Sequence, residues 1–300
     1  MGVAMDALAV LLTLIAGAVL TFGLERLGQR GGQELGPARP SASREPLDLP
    51  NADRWLLPAG PITALGGTAL AMAVIPFGPD LIGRDLGIGV FYFIVVVDFV
   101  VLGIALAGWG ANTADTVDAC YRIIAQLVAY VVPLGLALVG TIMMARSLST
   151  VRIVEAQAGL WFVVLQPLGF ALYVVTGLMQ SYRAPFLEPF ADRIGGGVLG
   201  VAGGWPALIW RLALGGVLFL VSAMGAVLFL GGWHGPVLPG WAWMLVKTFG
   251  LMALMLCLGR RVRPCSTAEM LALSWKVLIP VGLVNVLVVG GLILLGVGVS

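Results

Sequence analysis

Charged residues are scarce in this chain, and so are the side chains that usually bind metals. Of its 300 residues only 11% are charged, and it contains one histidine and three cysteines, Cys120, Cys257 and Cys265. These cysteines lack the spacing of metal ligands, which argues against a metal or haem site built from this chain alone. The net charge of +2 gives no support for a nucleic-acid partner.

Long apolar runs make up most of the chain, which is 60% hydrophobic with a mean hydropathy of +1.02. Runs of about 20 apolar residues are typical of transmembrane helices, and they exclude the short alternating strands of a barrel. We therefore predict an all-α polytopic membrane protein with one transmembrane domain over residues 1–300. The eight predicted spans are residues 7–24, 56–77, 86–109, 121–144, 159–179, 208–230, 241–258 and 277–297.

The basic residues predict how the chain is oriented in the membrane. Twelve of the 17 Lys and Arg residues fall in the odd-numbered loops between predicted spans, and three fall in the even-numbered loops. Because loops rich in Lys and Arg stay on the cytoplasmic side, both termini are expected to be periplasmic. The lipid bilayer is thus the first partner that the sequence predicts.

One loop, residues 176–193, combines charge with stiffness. Its polar and charged members include Gln180, Tyr182, Arg183, Glu188, Asp192 and Arg193, and its prolines are Pro185 and Pro189. Proline fixes the local backbone and cannot continue a helix, so we expect a stiff loop that holds Arg183 at the membrane surface. Such a loop is a candidate site. The alternative is a helix exit whose arginines extend to the interface.

Two features put polar groups inside the predicted spans. Asp98 lies in the third span, where a carboxyl group is costly and is by default a functional hypothesis. The alternative is a protonated, hydrogen-bonded acid, which can still relay protons. Arg122, Gln126 and Tyr130 are four residues apart and so lie along one face of the fourth span. They can line a water-filled crevice or bond to neighbouring helices, and both interpretations remain open.

Local backbone signals are few. Pro167, which follows Gln166 in the fifth span, predicts a kink. Loop one, residues 25–55, is rich in Gly, Pro, Ser and Arg, as is typical of a flexible linker. Near the end of this loop, Asn51 or Asp53 can cap the start of a surface helix. We interpret this loop as a docking surface for a soluble partner.

Several short segments, in a specific order and spacing, resemble one known family. They are Glu25-Arg26, residues 36–39, 49–53, 74–77, 107–112, 122–130, 228–233 and 275–280, and Gln-Ser-Tyr-Arg-Ala-Pro-Phe at 180–186. Over nearly its whole length the chain resembles the H subunit of bacterial NADH:quinone oxidoreductase, respiratory complex I. That protein is related to the mitochondrial ND-one protein and to a component of membrane-bound hydrogenases. The family's eight helices and outward N-terminus agree with the topology predicted from charge.

The resemblance implies a multi-pass subunit of the bacterial inner membrane that forms the quinone chamber and links quinone reduction to proton translocation. Quinone would be the substrate, and the chain would bind no redox cofactor and catalyse nothing alone. Electrons would come from iron–sulfur clusters in partner subunits. The residues implied at the quinone chamber or partner-docking surface are Glu25, Arg26, Arg39, Asp53, Gln180, Arg183, Pro185, Phe186 and Asp192. The predicted proton path comprises Asp98, from its place inside the third span, together with Arg122, Gln126 and Tyr130 of the fourth span.

The chain departs from the family at its membrane acids. The family usually has Ala-Glu where this chain has Met179-Gln180, and the acids expected at Val131 and near Leu214 are missing. Asp98 is expected to substitute for them in part, which indicates a divergent member.

Two other functions are weighed against this one. The first is the membrane anchor of an ion-pumping hydrogenase, although Arg183-Ala-Pro-Phe186 favours the quinone branch. The second is a stand-alone secondary transporter. The lack of internal repeats and the long cytoplasmic docking loop argue against a transporter.

Overall fold

The computed structural model of the protein describes residues 51–79, 81–187, 197–200 and 202–296, together with residues 17, 21, 23 and 49. Within these ranges every regular element is helical. The helices are α1 (Leu56–Met72), α2 (Gly89–Val97), α3 (Phe99–Ala111), α4 (Ala114–Ala145), α5 (Thr150–Glu155), α6 (Phe162–Leu165), α7 (Pro167–Gln180), α8 (Gly197–Gly200), α9 (Gly204–Phe229), α10 (Gly240–Arg261), α11 (Thr267–Leu273) and α12 (Ile279–Leu294). A π-helical turn, Ser274–Leu278, joins α11 to α12.

Five helical segments of the described chain are long and apolar enough to cross a membrane. They are Gly89–Ala111, Ala114–Ala145, Gly204–Phe229, Gly240–Arg261 and Thr267–Leu294. The shorter apolar helices α1 and α7 occupy two further predicted spans. The first predicted span lies almost wholly outside the described residues, although Gly17, Thr21 and Gly23 are helical. The prediction of a helical membrane protein is confirmed, while the count of eight spans stays a prediction.

Helix α9 is the centre of the bundle. Beyond Arg211 it is apolar on nearly every face, and such helices are buried by their neighbours. Its side chains from Ala213 to Phe229 are all buried. The first predicted span contacts α9 directly, because the hydroxyl of Thr21 donates to the carbonyl of Gly215 at 3.4 Å. Helix α12 is the opposite case, with exposed apolar side chains such as Leu283 and Leu287 that suit contact with lipid.

Small residues bring α1 and α3 close together. A Cβ atom placed on Gly60 would lie 2.5 Å from the Cβ of Ala107, and one placed on Gly103 would lie 2.5 Å from the carbonyl oxygen of Gly60. Only glycine therefore fits at these two positions. In lipid no hydrophobic force drives helices together, so membrane helices associate through close packing at small residues.

Three helices are interrupted or strained within the bundle. Pro167 begins α7 after a break at Gln166, as the predicted kink required. The predicted third span is not continuous, because a turn at Asp98 separates α2 from α3. Pro133 lies inside α4 and cannot donate to the carbonyl of Ala129. The hydroxyl of Ser274, in the π-helical turn, donates to that carbonyl instead.

Candidate functional site

The interruption at Asp98 is the centre of a polar cluster inside the bundle. The hydroxyl of Tyr130, from α4, donates to Oδ1 of Asp98 at 2.8 Å. The amide nitrogen of Gln180, at the end of α7, donates to the same oxygen at 3.2 Å. Among the described residues none donates to Oδ2, and no basic side chain pairs with Asp98. That second oxygen is therefore available to carry a proton.

Tyr182 completes this cluster from a strained backbone position. Its hydroxyl lies close enough to Tyr130 and Asp98 to interact electrostatically with both. Tyr182 has φ +52°, in the left-handed region, which is costly for residues other than glycine. We name the set Asp98, Tyr130, Gln180 and Tyr182 the acid cluster.

The strain at Tyr182 comes from how α7 ends. The N–H of Tyr182 donates to the carbonyl of Met179 at 3.2 Å, and that of Arg183 donates to the carbonyl of Leu178 at 3.3 Å. This pair of bonds is the Schellman termination, whose left-handed position is usually glycine. A tyrosine there loses backbone stability of about 1–3 kcal/mol. Its hydroxyl is thereby placed beside Tyr130, and strained residues of this kind cluster at functional sites.

Gln126 ties the same helix end to α4. Its side chain is fully buried, and its amide nitrogen donates to the carbonyl of Met179 at 2.6 Å. A longer contact of 3.5 Å reaches the carbonyl of Phe186. Among the described residues nothing donates to its side-chain oxygen. Gln126 thus holds both ends of the loop at 181–187 against α4, one turn from Tyr130.

The predicted position of Arg183 at the membrane surface is wrong. The side chain is 1% exposed, so it neither extends to the interface nor projects from the described chain. Its Nη1 donates to the carbonyl of Ser181 at 3.4 Å and its Nη2 to that of Leu214, in α9, at 3.2 Å. The Schellman turn reverses the chain at Tyr182 and directs this side chain inward. Leu214 also lies where the family resemblance expects an acid.

Pro185 and Phe186 are buried beside Arg183 and form a wall of the same loop. The bond between Ala184 and Pro185 is cis. The carbonyl of Pro185 accepts a 2.9 Å hydrogen bond from the N–H of Cys265, beyond the end of α10. Gly259 of α10 lies directly against the carbonyl of Ala184, where any side chain would collide. The loop is therefore fixed against α4, α9 and α10.

Two predicted site residues lie apart from the acid cluster. Arg122 forms an exposed 2.8 Å ion pair with Asp118, so the stripe on α4 divides into a surface pair and the buried Gln126 and Tyr130. Asp53 is exposed and accepts hydrogen bonds from the N–H groups of Trp55 and Leu56, at 2.8 and 3.0 Å. These bonds close a turn just before α1, whose N-cap position is Trp55 rather than the predicted Asn51 or Asp53. The bonds from Leu56 and Trp55 hold the pKa of Asp53 below its usual value.

Four predicted site residues, Glu25, Arg26, Arg39 and Asp192, lie outside the described residues. The structure brings Asp98, Gln126, Tyr130 and Gln180 together with the loop of Arg183, Pro185 and Phe186. The sequence placed Tyr182 in the candidate loop, but it gave this residue no role of its own. The only available signal was its place between two predicted site residues. In the described ranges no group of three or more His, Cys, Asp or Glu side chains could hold a metal ion.

Comparison with known proteins gives consistent results across sequence and structure. The family model described as "NADH dehydrogenase" matches residues 37–290. The chain is 33% identical to the second H subunit of NADH-quinone oxidoreductase from Syntrophobacter fumaroxidans, over 92% of this chain and 86% of that protein. It is also 33% identical to the first H subunit of NADH-quinone oxidoreductase from Geobacter metallireducens, over 96% of this chain and 95% of the relative.

A solved structure has the same fold. A chain of the membrane-bound sulfane sulfur reductase, an archaeal respiratory membrane complex, superposes with a TM-score of 0.84 at 21% sequence identity. The match covers 96% of this chain and 100% of the other. At this level of identity the likeness establishes the fold alone.

Proposed function

The chain belongs to the NADH dehydrogenase family, whose curated members include the H subunits of NADH-quinone oxidoreductase, and we propose that it serves a complex-I-like enzyme as its quinone-chamber subunit. In this role it spans the bacterial inner membrane with both termini periplasmic. It links quinone reduction to proton translocation. The observation that carries the proposal is the acid cluster, a carboxyl group inside the bundle that is held by two hydrogen-bond donors from distant helices.

The loop that follows α7 is the proposed wall of the quinone chamber. Arg183, Pro185 and Phe186 are buried and rigidly fixed, which suits a cavity wall better than a docking surface. Buried donors and an aromatic ring beside apolar helices match a quinone, whose head group accepts hydrogen bonds and whose tail is apolar. Of the predicted residues outside the described ranges, Glu25, Arg26, Arg39 and Asp192 are assigned to the chamber mouth by resemblance alone.

The proposed docking surface for partner subunits consists of exposed positions at the same end of the bundle as the loop after α7. Asp53 precedes α1 there, followed by Trp55, whose side chain is 85% exposed. The N–H of Asp53 donates to the carbonyl of Gly110 at 2.7 Å, which fixes this corner at the end of α3. The partners are peripheral subunits that carry iron–sulfur clusters and deliver electrons to the quinone, together with further membrane subunits. This chain contributes no redox group.

The acid cluster is the proposed proton-loading site. An unpaired charge in the membrane interior costs at least about 2.5–3.5 kcal/mol on insertion scales. This cost favours the protonated form of the Asp98 carboxyl group. Tyr130 and Gln180 donate to one oxygen and stabilise the ionised form once the proton leaves. Helix α7 ends at Gln180 and continues directly into the loop of Arg183. Movement of that loop during quinone reduction can therefore shift the acid cluster.

Purification of the native complex tests the assignment. The chain is expected to co-purify with soluble iron–sulfur subunits, and the complex is expected to reduce a quinone analogue with NADH. The isolated chain should show no redox activity. Quinone reductase activity in the isolated chain would contradict the proposal. Nickel–iron hydrogenase subunits in the complex, with no NADH:quinone activity, would establish the hydrogenase anchor instead.

A further inference from the structure

A second polar site lies near the opposite end of α4 from Arg122, at the helix break before α7. Gln166, in that break, is 2% exposed, and Asn285 of α12 is 1% exposed. Two glycines place their carboxamides together. A Cβ atom on Gly169 would lie 3.0 Å from Nδ2 of Asn285 and 3.2 Å from Oε1 of Gln166. One on Gly140 would meet the same two atoms.

These carboxamides lack hydrogen bonds that they need. Both side-chain polar atoms of Gln166 and the Nδ2 of Asn285 are buried and have no hydrogen-bond partner within the part of the chain that the structure describes. Leaving a buried donor or acceptor unsatisfied costs about 1–3 kcal/mol for each group. The bundle contains satisfied amides for comparison. Buried Gln157 donates to the carbonyls of Ile153 and Val227 and accepts from the N–H of Gly231.

The unsatisfied atoms define the chemistry of a ligand. Gln166 presents a donor and an acceptor, whichever way its carboxamide is turned, and Asn285 presents a further donor. A cation would leave the N–H groups unsatisfied, and an anion would leave the Gln166 oxygen unsatisfied. Water donates and accepts at once and typically makes about three hydrogen bonds when buried. It is the ligand that matches all three atoms.

We propose that Gln166 and Asn285 bind internal water where the chain breaks between α6 and α7. The break supplies the reason for the site. Pro167 begins α7 without an N–H group, so the preceding turn cannot continue, and Gln166 adopts φ −137° and ψ 66°. Discontinuous membrane helices are tolerated where ordered water or neighbouring groups satisfy the freed polar atoms. The glycines at 140 and 169 admit the two carboxamides, because any side chain there would displace them.

Electron cryo-microscopy of the complete complex in lipid nanodiscs is the direct test. At a resolution that shows ordered water, density is expected within hydrogen-bond distance of both Gln166 and Asn285. Asn285→Leu is expected to abolish that density. Thr141→Val is the matched control, since Thr141 is equally buried on α4 but its hydroxyl already donates to the carbonyl of Leu138 at 2.8 Å. An empty site in the wild type would overturn the proposal.

Thermal unfolding of the same complexes supplies an independent readout. If water satisfies the site, Asn285→Leu lowers Tm, because Gln166 and the water lose a partner. If the site is dry, the substitution removes an unsatisfied group and raises Tm, which would overturn the proposal. Replacing sodium by choline in the buffer should leave Tm unchanged. A Tm that falls without sodium in the wild type, but not in Asn285→Leu, would identify a cation site and also overturn it.

Discussion

The hydroxyl of Tyr130 donates a 2.8 Å hydrogen bond to Oδ1 of Asp98, which joins the middle of α4 to the break between α2 and α3. Gln180 donates to the same oxygen from the end of α7. Three segments that are far apart in the chain therefore meet at one carboxylate oxygen. Under the proposed function, these bonds would couple the protonation of Asp98 to the position of the loop after α7.

Asp98→Asn is expected to uncouple proton movement from electron transfer. Asparagine keeps the size of the side chain and its carbonyl acceptor, but it cannot release a proton. NADH:quinone electron flux should persist, while the pH gradient formed per electron falls severalfold. Both are measured together in proteoliposomes that hold the whole complex. Asp115→Asn, an exposed acid in the first turn of α4, is the control that should leave both unchanged. Equal pH gradients per electron in Asp98→Asn and wild type would show that Asp98 only makes structural hydrogen bonds.

Tyr130→Phe is expected to weaken the acid cluster without changing its shape. The substitution removes a hydrogen bond to a carboxyl group, worth about 1.5–3 kcal/mol when the acid is charged. The Tm of the complex and the gradient per electron should both fall. Tyr121→Phe provides the comparison, since Tyr121 is 62% exposed. If Tyr130→Phe and Tyr121→Phe change Tm and the gradient per electron equally, the acid cluster has no special role in proton translocation.

Arg183→Lys is expected to impair assembly and quinone turnover although the charge is kept. The arginine reaches the carbonyls of Ser181 and Leu214 with two different nitrogens, and a single ammonium group cannot reproduce this geometry. Loss of one such bond corresponds to about 1.5–3 kcal/mol. Yield of intact complex and NADH:quinone turnover are the measurements. Arg263→Lys is the control and should be silent, because its exposed 2.8 Å pair with Glu269 is worth only about 0–1 kcal/mol. Unchanged turnover in Arg183→Lys would show that Arg183 does not contribute to the quinone chamber.

The orientation in the membrane can be tested with reporter fusions at the C-terminus. The excess of Lys and Arg in the odd-numbered loops predicts a periplasmic C-terminus. An alkaline phosphatase fusion should be active, and a green fluorescent protein fusion should be dark. The reverse pattern would invert every inside and outside assignment made above.

His234 is expected to make the complex less stable in mild acid. Burial and the nearby Lys247 hold the pKa of His234 below 6.5, so the folded state binds its proton less readily than the unfolded state does. Stability from this residue is therefore present above pH 6.5 and is lost as the pH falls through that value. His234→Gln should narrow the difference in Tm between pH 7.5 and pH 5.5. An unchanged difference would show that His234 does not contribute.

The sequence by itself determined the membrane-embedded, helical character of the protein and its family. Apolar runs the length of a bilayer have only one way to satisfy their backbone, so helix formation in lipid needs no tertiary information. The break before α7 was equally predictable, because Pro167 has no N–H group to donate. The turn that Asp53 forms just before α1 and the shared face of Gln126 and Tyr130 also follow from local chemistry.

Only the tertiary structure decided which polar groups meet. The turn at Asp98 has no proline or glycine to signal it, and its partners Tyr130 and Gln180 come from other helices. Arg183 was predicted at the surface because the prolines of its loop cannot continue the helix, yet the Schellman turn at Tyr182 directs it toward the carbonyl of Leu214. Hydrophobic patterning fixes which residues enter the membrane. The rotation and close approach of packed helices fix which buried polar atoms find each other, and that information is not local in the chain.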